Sequence, residues 1–277
     1  MNFVRITIGL SLAVATAIPA TAANNAVPSC YKNYPAIGLI PAAPVRETFV
    51  FVDQTTPISE EMKASLQESL SALIGPGSAF TVASFSEAAP GRFPVIITSG
   101  VIEAGVPPQQ RGDISVPKLK QFDSCLIQQA AFGAREATKG VFSTLSGATG
   151  SFAHSEVMAS LQQLSRRVAA SPARDRIVIL VSDMLEHSST TSFYEKQTIR
   201  LLNPAEELAK IKKADLLGDF HSARVYVVGA GSIPTKGIRP HAQMTALEAF
   251  WRKWFAASNA RVAEFGAPNL LTPIPQK

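Results

Sequence analysis

The chain has 277 residues, with 26 Lys and Arg against 21 Asp and Glu, a formal net charge of +5. That excess is spread out rather than gathered in a dense basic block, which argues against a nucleic-acid footprint, since one needs a patch or stripe. With 46% hydrophobic residues the chain can bury a full core in one large domain, and no stretch beyond the first twenty or so residues approaches the ~20 apolar positions a membrane span requires.

Residues 1–22 have the layout of a secretory signal peptide: Arg5 in a short basic head, an apolar run from Ile6 to Ile18, and Ala20-Thr21-Ala22 as a small-x-small cleavage site. This predicts a mature chain that begins near Ala23 and resides in the periplasm or is secreted. Residues 23–46, rich in Pro, Ala and Asn, read as an extended lead-in. Cys30 and Cys125 both lie in the mature part, and an even count in an oxidising compartment predicts a disulfide, within the chain or between copies. Within one chain it would staple the lead-in to the domain body.

The domain proper spans 47–277. Glu47 to Val52 is β-branched and aromatic, a buried strand that ends at Asp53. Thr56-Pro57 offers an N-cap and a first-turn proline for a helix to about Ile74, with Met62, Leu66, Leu70 and Leu73 on one face. Ala79 to Phe85 alternates as a second strand, and Val95 begins a third. Glu103 to Pro117 reads as a long loop, followed by a helical pattern from Val116 to about Leu145 that Gly133 and Gly140 are expected to bend or split. A shorter helix carries Val157, Leu161, Leu164 and Val168. Arg176 to Ser182 is a continuously apolar central strand that ends at Asp183. Asn203-Pro204 caps a helix through Lys212, Arg224 to Val228 is another strand, and Leu247, Phe250, Trp251 and Trp254 form the core face of a late helix. A last short strand falls at Arg261–Phe265 or Leu270–Ile274. Alternating strands and helices with apolar central strands predict an α/β, doubly wound, mostly parallel sheet with helices on both faces. In such sheets ligands bind at the carboxyl ends of the strands, where Asp53 and Asp183 stand.

The motif Asp53-Gln54-Thr55-Thr56-Pro57 after the first strand, together with Asp183 after the central strand, resembles the metal-ion-dependent adhesion site of von Willebrand factor type A (vWA) domains. That family's pattern is Asp-x-Ser-x-Ser after its first strand, a loop threonine and a fourth-strand aspartate. Asp53, Thr55 and Asp183 match, and Ser155 takes the loop position, with Thr149 and Ser151 as rivals. Pro57 replaces a serine and offers no oxygen, so the site is degenerate. The resemblance implies a Rossmann-like, vWA-like fold and a non-enzymatic module that binds a protein partner. That partner would be a component of the cell envelope; alternatively the chain is itself a structural component of an envelope assembly, such as a secretion or conjugation apparatus. It also implies Mg²⁺ at Asp53, Thr55, Ser155 and Asp183, because hard oxygen donors suit that ion. The alternative is a metal-free relic held by hydrogen bonds. The rim would be shaped by the loops Glu103–Pro117 and Met184–Leu202.

Rival chemistries are less complete. Asp53-x-Thr55 is similar to a haloacid-dehalogenase phosphatase nucleophile, but Thr55 stands where the second aspartate belongs. Gly229-Ala230-Gly231 lacks the third glycine of a dinucleotide fingerprint. His154, His187, His221 and His241 are dispersed and read as surface residues, and Glu186 reads as a solvated loop residue.

Overall fold

The computed structural model describes residues 25–56, 58–85, 94–146, 155–195, 198–232, 240–267, 269–272 and 274–275. The expected leader of residues 1–22 lies outside these, as do Pro57, Thr149, Ser151 and His154. Among the described residues no helix is long and apolar enough to cross a membrane.

In chain order the strands are β1 (Arg46–Asp53), β2 (Ser78–Phe85), β3 (Val95–Ile102), β4 (Asp175–Val181), the two-residue β5 (Tyr194–Glu195) and β6 (Thr198–Ile199), β7 (Ala223–Val228) and β8 (Ala260–Phe265). The helices are α1 (Cys30–Asn33), α2 (Glu60–Leu73), α3 (Val116–Ser146), α4 (Val157–Ala169), α5 (Pro204–Lys213) and α6 (His241–Ala257). Six strands form one sheet in the order β3-β2-β1-β4-β7-β8, parallel except for β3, while β5 and β6 make a small antiparallel pair. This is the expected doubly wound, Rossmann-like and vWA-like arrangement.

The strands alternate between two cores. Phe49, Phe51, Val178, Leu180, Val225 and Val227 pack with α4 and with Trp251 and Trp254 of α6. Val50, Val52, Ile177, Ile179 and Val181 pack with Met62, Leu66 and Leu70 of α2 and Val141 of α3. Both indoles are fully buried, and each N–H has an acceptor: the carbonyl of Met184 for Trp251 and that of Leu216 for Trp254. Satisfying these donors allows tryptophan to fill a core.

Several expectations need correction. The lead-in is not simply extended: it folds into α1 and a 3₁₀ turn at Pro35–Ile37, packed on Phe122 of α3. Cys30 and Cys125 are joined within the chain, with Cα atoms 5.9 Å apart. α2 starts at Glu60 with Ser59 as its cap, because Ser59 Oγ accepts the Met62 N–H while Thr56 is drawn into a buried network. α3 runs unbroken through Gly133 and Gly140. A Cβ at these glycines would stand 2.3 Å from Ile102 and 2.7 Å from Thr98, so they mark close approach of helix to sheet rather than a break. The last strand is Ala260–Phe265.

The loop from Glu103 also changes place. Because β3 is antiparallel, Ile102 pairs with Ser78 at the amino end of β2, so the loop leaves the sheet at the end opposite Asp53 and Asp183. It carries a 3₁₀ segment, Pro108–Asp113. There the buried Glu103 accepts from Ser29 Oγ, the Cys30 and Tyr31 N–H groups and Gln129 Nε2, locking the N-terminal segment in place.

Candidate functional site

β1 and β4 are hydrogen-bonded neighbours, and Val52 lies opposite Val181 in register. The next rung therefore sets Asp53 beside Ser182, with Asp183 one residue beyond. Asp53 is fully buried and Asp183 is 5% exposed. An ionised carboxylate at such a depth requires hydrogen bonds or a counter-charge. Here the hydrogen bonds come mainly from hydroxyls.

Asp53 Oδ1 accepts the Thr55 N–H at 2.9 Å and the Thr55 hydroxyl at 2.6 Å, an Asx-type turn closed by the residue two places on. Asp53 Oδ2 accepts from Ser182 Oγ at 2.8 Å. Thr56 Oγ1 accepts the Asp183 N–H at 2.9 Å, tying the β1 turn to the β4 turn. Asp183 Oδ1 accepts the Leu185 N–H at 2.9 Å, and Tyr194, on β5, donates its hydroxyl to Asp183 Oδ2 at 3.4 Å.

The backbone is bent to fit. Met184, fully buried, adopts φ 61, a left-handed conformation uncommon for a residue with a Cβ. Its N–H donates to Ser182 Oγ and its carbonyl accepts from Trp251, so both of its polar groups are held. Across the site Gly229 has φ 96, and a Cβ there would meet Met62, Ser182 and Thr56 at 3.1–3.6 Å. The Gly231 N–H donates to the Asp183 carbonyl at 2.8 Å. The glycines of Gly229-Ala230-Gly231 thus serve as a tight strand exit against the aspartate turn.

Electrostatics follow from this packing. Burial raises the Asp53 carboxyl above its ordinary range, with the Thr55, Ser182 and Thr56 hydrogen bonds opposing it. Burial, then the neighbouring Asp53 charge, raises Asp183 further. Tyr194 is pushed up by burial and by both aspartates, so its hydroxyl stays a donor. Glu186 is a correction: expected in solvent, it is 1% exposed and accepts the Met158 N–H at 2.9 Å, capping α4. Burial lifts its carboxyl to about 7.

Of the residues singled out in the sequence, Asp53, Thr55 and Asp183 come together. Ser155 stands on the same rim through its backbone: its N–H and carbonyl pair with His187, four residues after Asp183. His187 is engaged structurally, with Nδ1 2.9 Å from Ser192 Oγ and its ring edge-on to Tyr194. Ser182 and Tyr194 were missed. Ser182 had a signal, since a hydroxyl directly before the strand-end aspartate is on the adjoining rung. Tyr194 had none.

The donors here are carboxylates and hydroxyls, the chemistry of a hard divalent cation. Among the described residues no group of three or more His, Cys, Asp or Glu side chains gathers, so an ion would rely on two carboxylates, hydroxyls and water. The mutual repulsion of Asp53 and Asp183 is what a cation would relieve. A nucleophilic role suits Asp53 poorly, because it is fully buried and both oxygens already accept hydrogen bonds.

No protein-family model matches the chain, and no curated protein matches it. Among solved structures it is similar to an aerotolerance-related membrane protein from Bacteroides fragilis NCTC 9343, at 12% identity over 80% of this chain and 92% of that one, with a TM-score of 0.35. It is also similar to the vWF domain of the type V pili tip protein Mfa5 from Porphyromonas gingivalis, at 15% identity over 74% of this chain and 58% of that one, TM-score 0.31. A structure of three N-terminal domains of Mfa5 gives 15% identity over 72% of this chain and 30% of that one, TM-score 0.30. Likeness of this degree carries no inference about activity, and the functional reading rests on the side chains described above.

Proposed function

We propose that this chain is an exported, non-enzymatic vWA-like module that binds a cell-envelope protein at the carboxyl ends of β1 and β4, with Mg²⁺ held at a degenerate adhesion site. One observation carries the reading: Asp53 and Asp183, from distant parts of the sequence, lie over one sheet edge as a buried like-charged pair ringed by hydroxyls. Asp53, Thr55 and Asp183 would hold the ion directly or through water, with Ser155 brought in from the rim. Pro57 supplies no oxygen, so water fills its position. The ion would offer a partner's carboxylate an open coordination place.

A second reading keeps the fold without the metal, and a specific observation favours it. Both oxygens of each aspartate already accept a donor from the protein. The pair would then be a hydrogen-bonded latch in a structural envelope component that binds its partner elsewhere.

Thermal unfolding with Mg²⁺ or Mn²⁺ separates the two. A ligand of the native state at a hundredfold its Kd adds about 2.7 kcal/mol, several degrees in Tm. The metal reading expects that rise in the intact chain and its loss in Asp183→Ala. An unchanged Tm at millimolar Mg²⁺ would leave the latch as the better account.

A further inference from the structure

α3 has a second stripe that the fold covers only in part: Ala134 and Phe142 pack partly against the core, while Ile127 and Ala131 are exposed. The buried face of α3, including Gly133, Ala137 and Val141, packs on the sheet. Rotated away from that face, Ile127, Ala131, Ala134, Thr138 and Phe142 follow one another at spacings of four, three, four and four, the period of a helix surface. Ile127 is 70% exposed, although it is a large apolar residue. From Ala131 to Phe142 the stripe lines a groove of about 520 Å³ whose other wall is α2, with Ile74 at its end. Arg135 and Lys139, one turn apart on α3, also line it, and no carboxylate does among the described residues.

We propose that this groove is a docking site for an amphipathic helix of a partner protein that carries acidic residues along one edge. The alanines let another helix approach closely, and the stripe's period matches anchors at i, i+3/i+4 and i+7. Two cations without a lining acid select the charge of the incoming edge, because like-charge juxtaposition at an interface is penalised. The groove lies on the α2–α3 layer, away from the strand-end aspartates, and its occupancy does not depend on metal binding there.

The test uses the intact chain and two synthetic helical peptides of about 18 residues, long enough to form a helix on binding. Both carry leucines at the anchor positions; one has glutamates along the flank and the other lysines. Fluorescence anisotropy should show the glutamate peptide binding at least about tenfold more tightly. Ala131→Trp, at an exposed position, should abolish binding with little change in Tm. The double variant Arg135→Glu/Lys139→Glu should reverse the preference in favour of the lysine peptide, a result that misfolding cannot produce. Equal binding of the two peptides, binding of neither, or a preference untouched by charge reversal would overturn the proposal. So would an Ala131→Trp-sensitive self-association in sedimentation, which would make the occupant a second copy, or Ala131→Trp-sensitive uptake on phospholipid vesicles, which would make it a membrane.

Discussion

At the amino end of the central sheet Glu47 and Asp175 have arginine beside them; at the carboxyl end Asp53, Asp183 and Glu186 have hydroxyls and amides. Glu47, 3% exposed, accepts from Thr81 Oγ1, Ser171 Oγ and Arg167 Nη2. Asp175 is shared between Arg46 and Arg224, and those hydrogen bonds and charges outweigh its burial to hold its carboxyl below the usual range. At the other end burial outweighs the hydrogen bonds, and Asp53, Asp183 and Glu186 are all raised. The same side-chain chemistry is thus closed with counter-charges at one end and left short of positive charge at the other. The first arrangement suits a fastening. The second holds a place that a proton or a cation can take.

Removing an acid at the fastened end should therefore cost the most. Glu47→Ala strands two hydroxyls and the Arg167 guanidinium around a buried gap. Leaving the two buried hydroxyls without their acceptor costs about 1–3 kcal/mol each, several degrees or more in Tm for a domain of this size. A loss under about 1 kcal/mol in chemical denaturation would show that the arginine network is ornamental and would weaken the contrast between the ends.

The next effect is on pH dependence, and its sign follows from the raised carboxyls. A group that holds its proton more tightly when folded stabilises the fold below its unfolded value and loses that contribution as pH rises through the folded one. For Glu186 the window runs from 4.5 to about 7, and a shift of that size corresponds to roughly 3 kcal/mol. Asp53 and Asp183 act in the same direction. Stability in metal-free buffer should accordingly be higher at pH 5.5 than at pH 8, and Glu186→Gln and Asp183→Asn should each flatten the slope. Asp175 and Glu207, both lowered, reverse the trend at more acid pH, where protonation undoes their ion pairs. Greater stability at pH 8 than at pH 5.5 in the metal-free chain would contradict the electrostatic account of the site. Because protons and cations compete for the same carboxylates, any Mg²⁺-induced rise in Tm should grow over that range.

Much of this was legible in the residues. Continuous apolar runs ending in Asp53 and Asp183 disclose parallel central strands, and the alternation with helices discloses the layers. The even cysteine count points to the staple between Cys30 and Cys125. The reversed direction of β3 was not legible, because side-chain alternation is the same in both senses; the loop at Glu103 was accordingly expected at the wrong end. Glu186 looks like a loop residue because capping of α4 by a carboxylate from another segment leaves no local pattern. Tyr194 reaches Asp183 through a pair of two-residue strands, too short for any periodicity to reveal. Local chemistry shows in sequence; contacts made by folding a loop back over a site do not.

The smallest expected effect tests that folded-back contact. Tyr194 sits on β5 with its hydroxyl 3.4 Å from Asp183 Oδ2, a long and therefore weak hydrogen bond. Tyr194→Phe keeps the ring against His187 and removes the donor, so the loss in stability should be about 1 kcal/mol or less. The same change vacates one oxygen of Asp183. If a cation and the tyrosine hydroxyl compete for that oxygen, Tyr194→Phe should enlarge the Mg²⁺-dependent rise in Tm even as it lowers the metal-free Tm. If the hydroxyl instead closes a latch that never opens to metal, the variant should lose stability by the same amount with and without Mg²⁺. A larger Mg²⁺-dependent rise beside a lower metal-free Tm is the outcome expected when an ion takes the place of the tyrosine hydroxyl on Asp183.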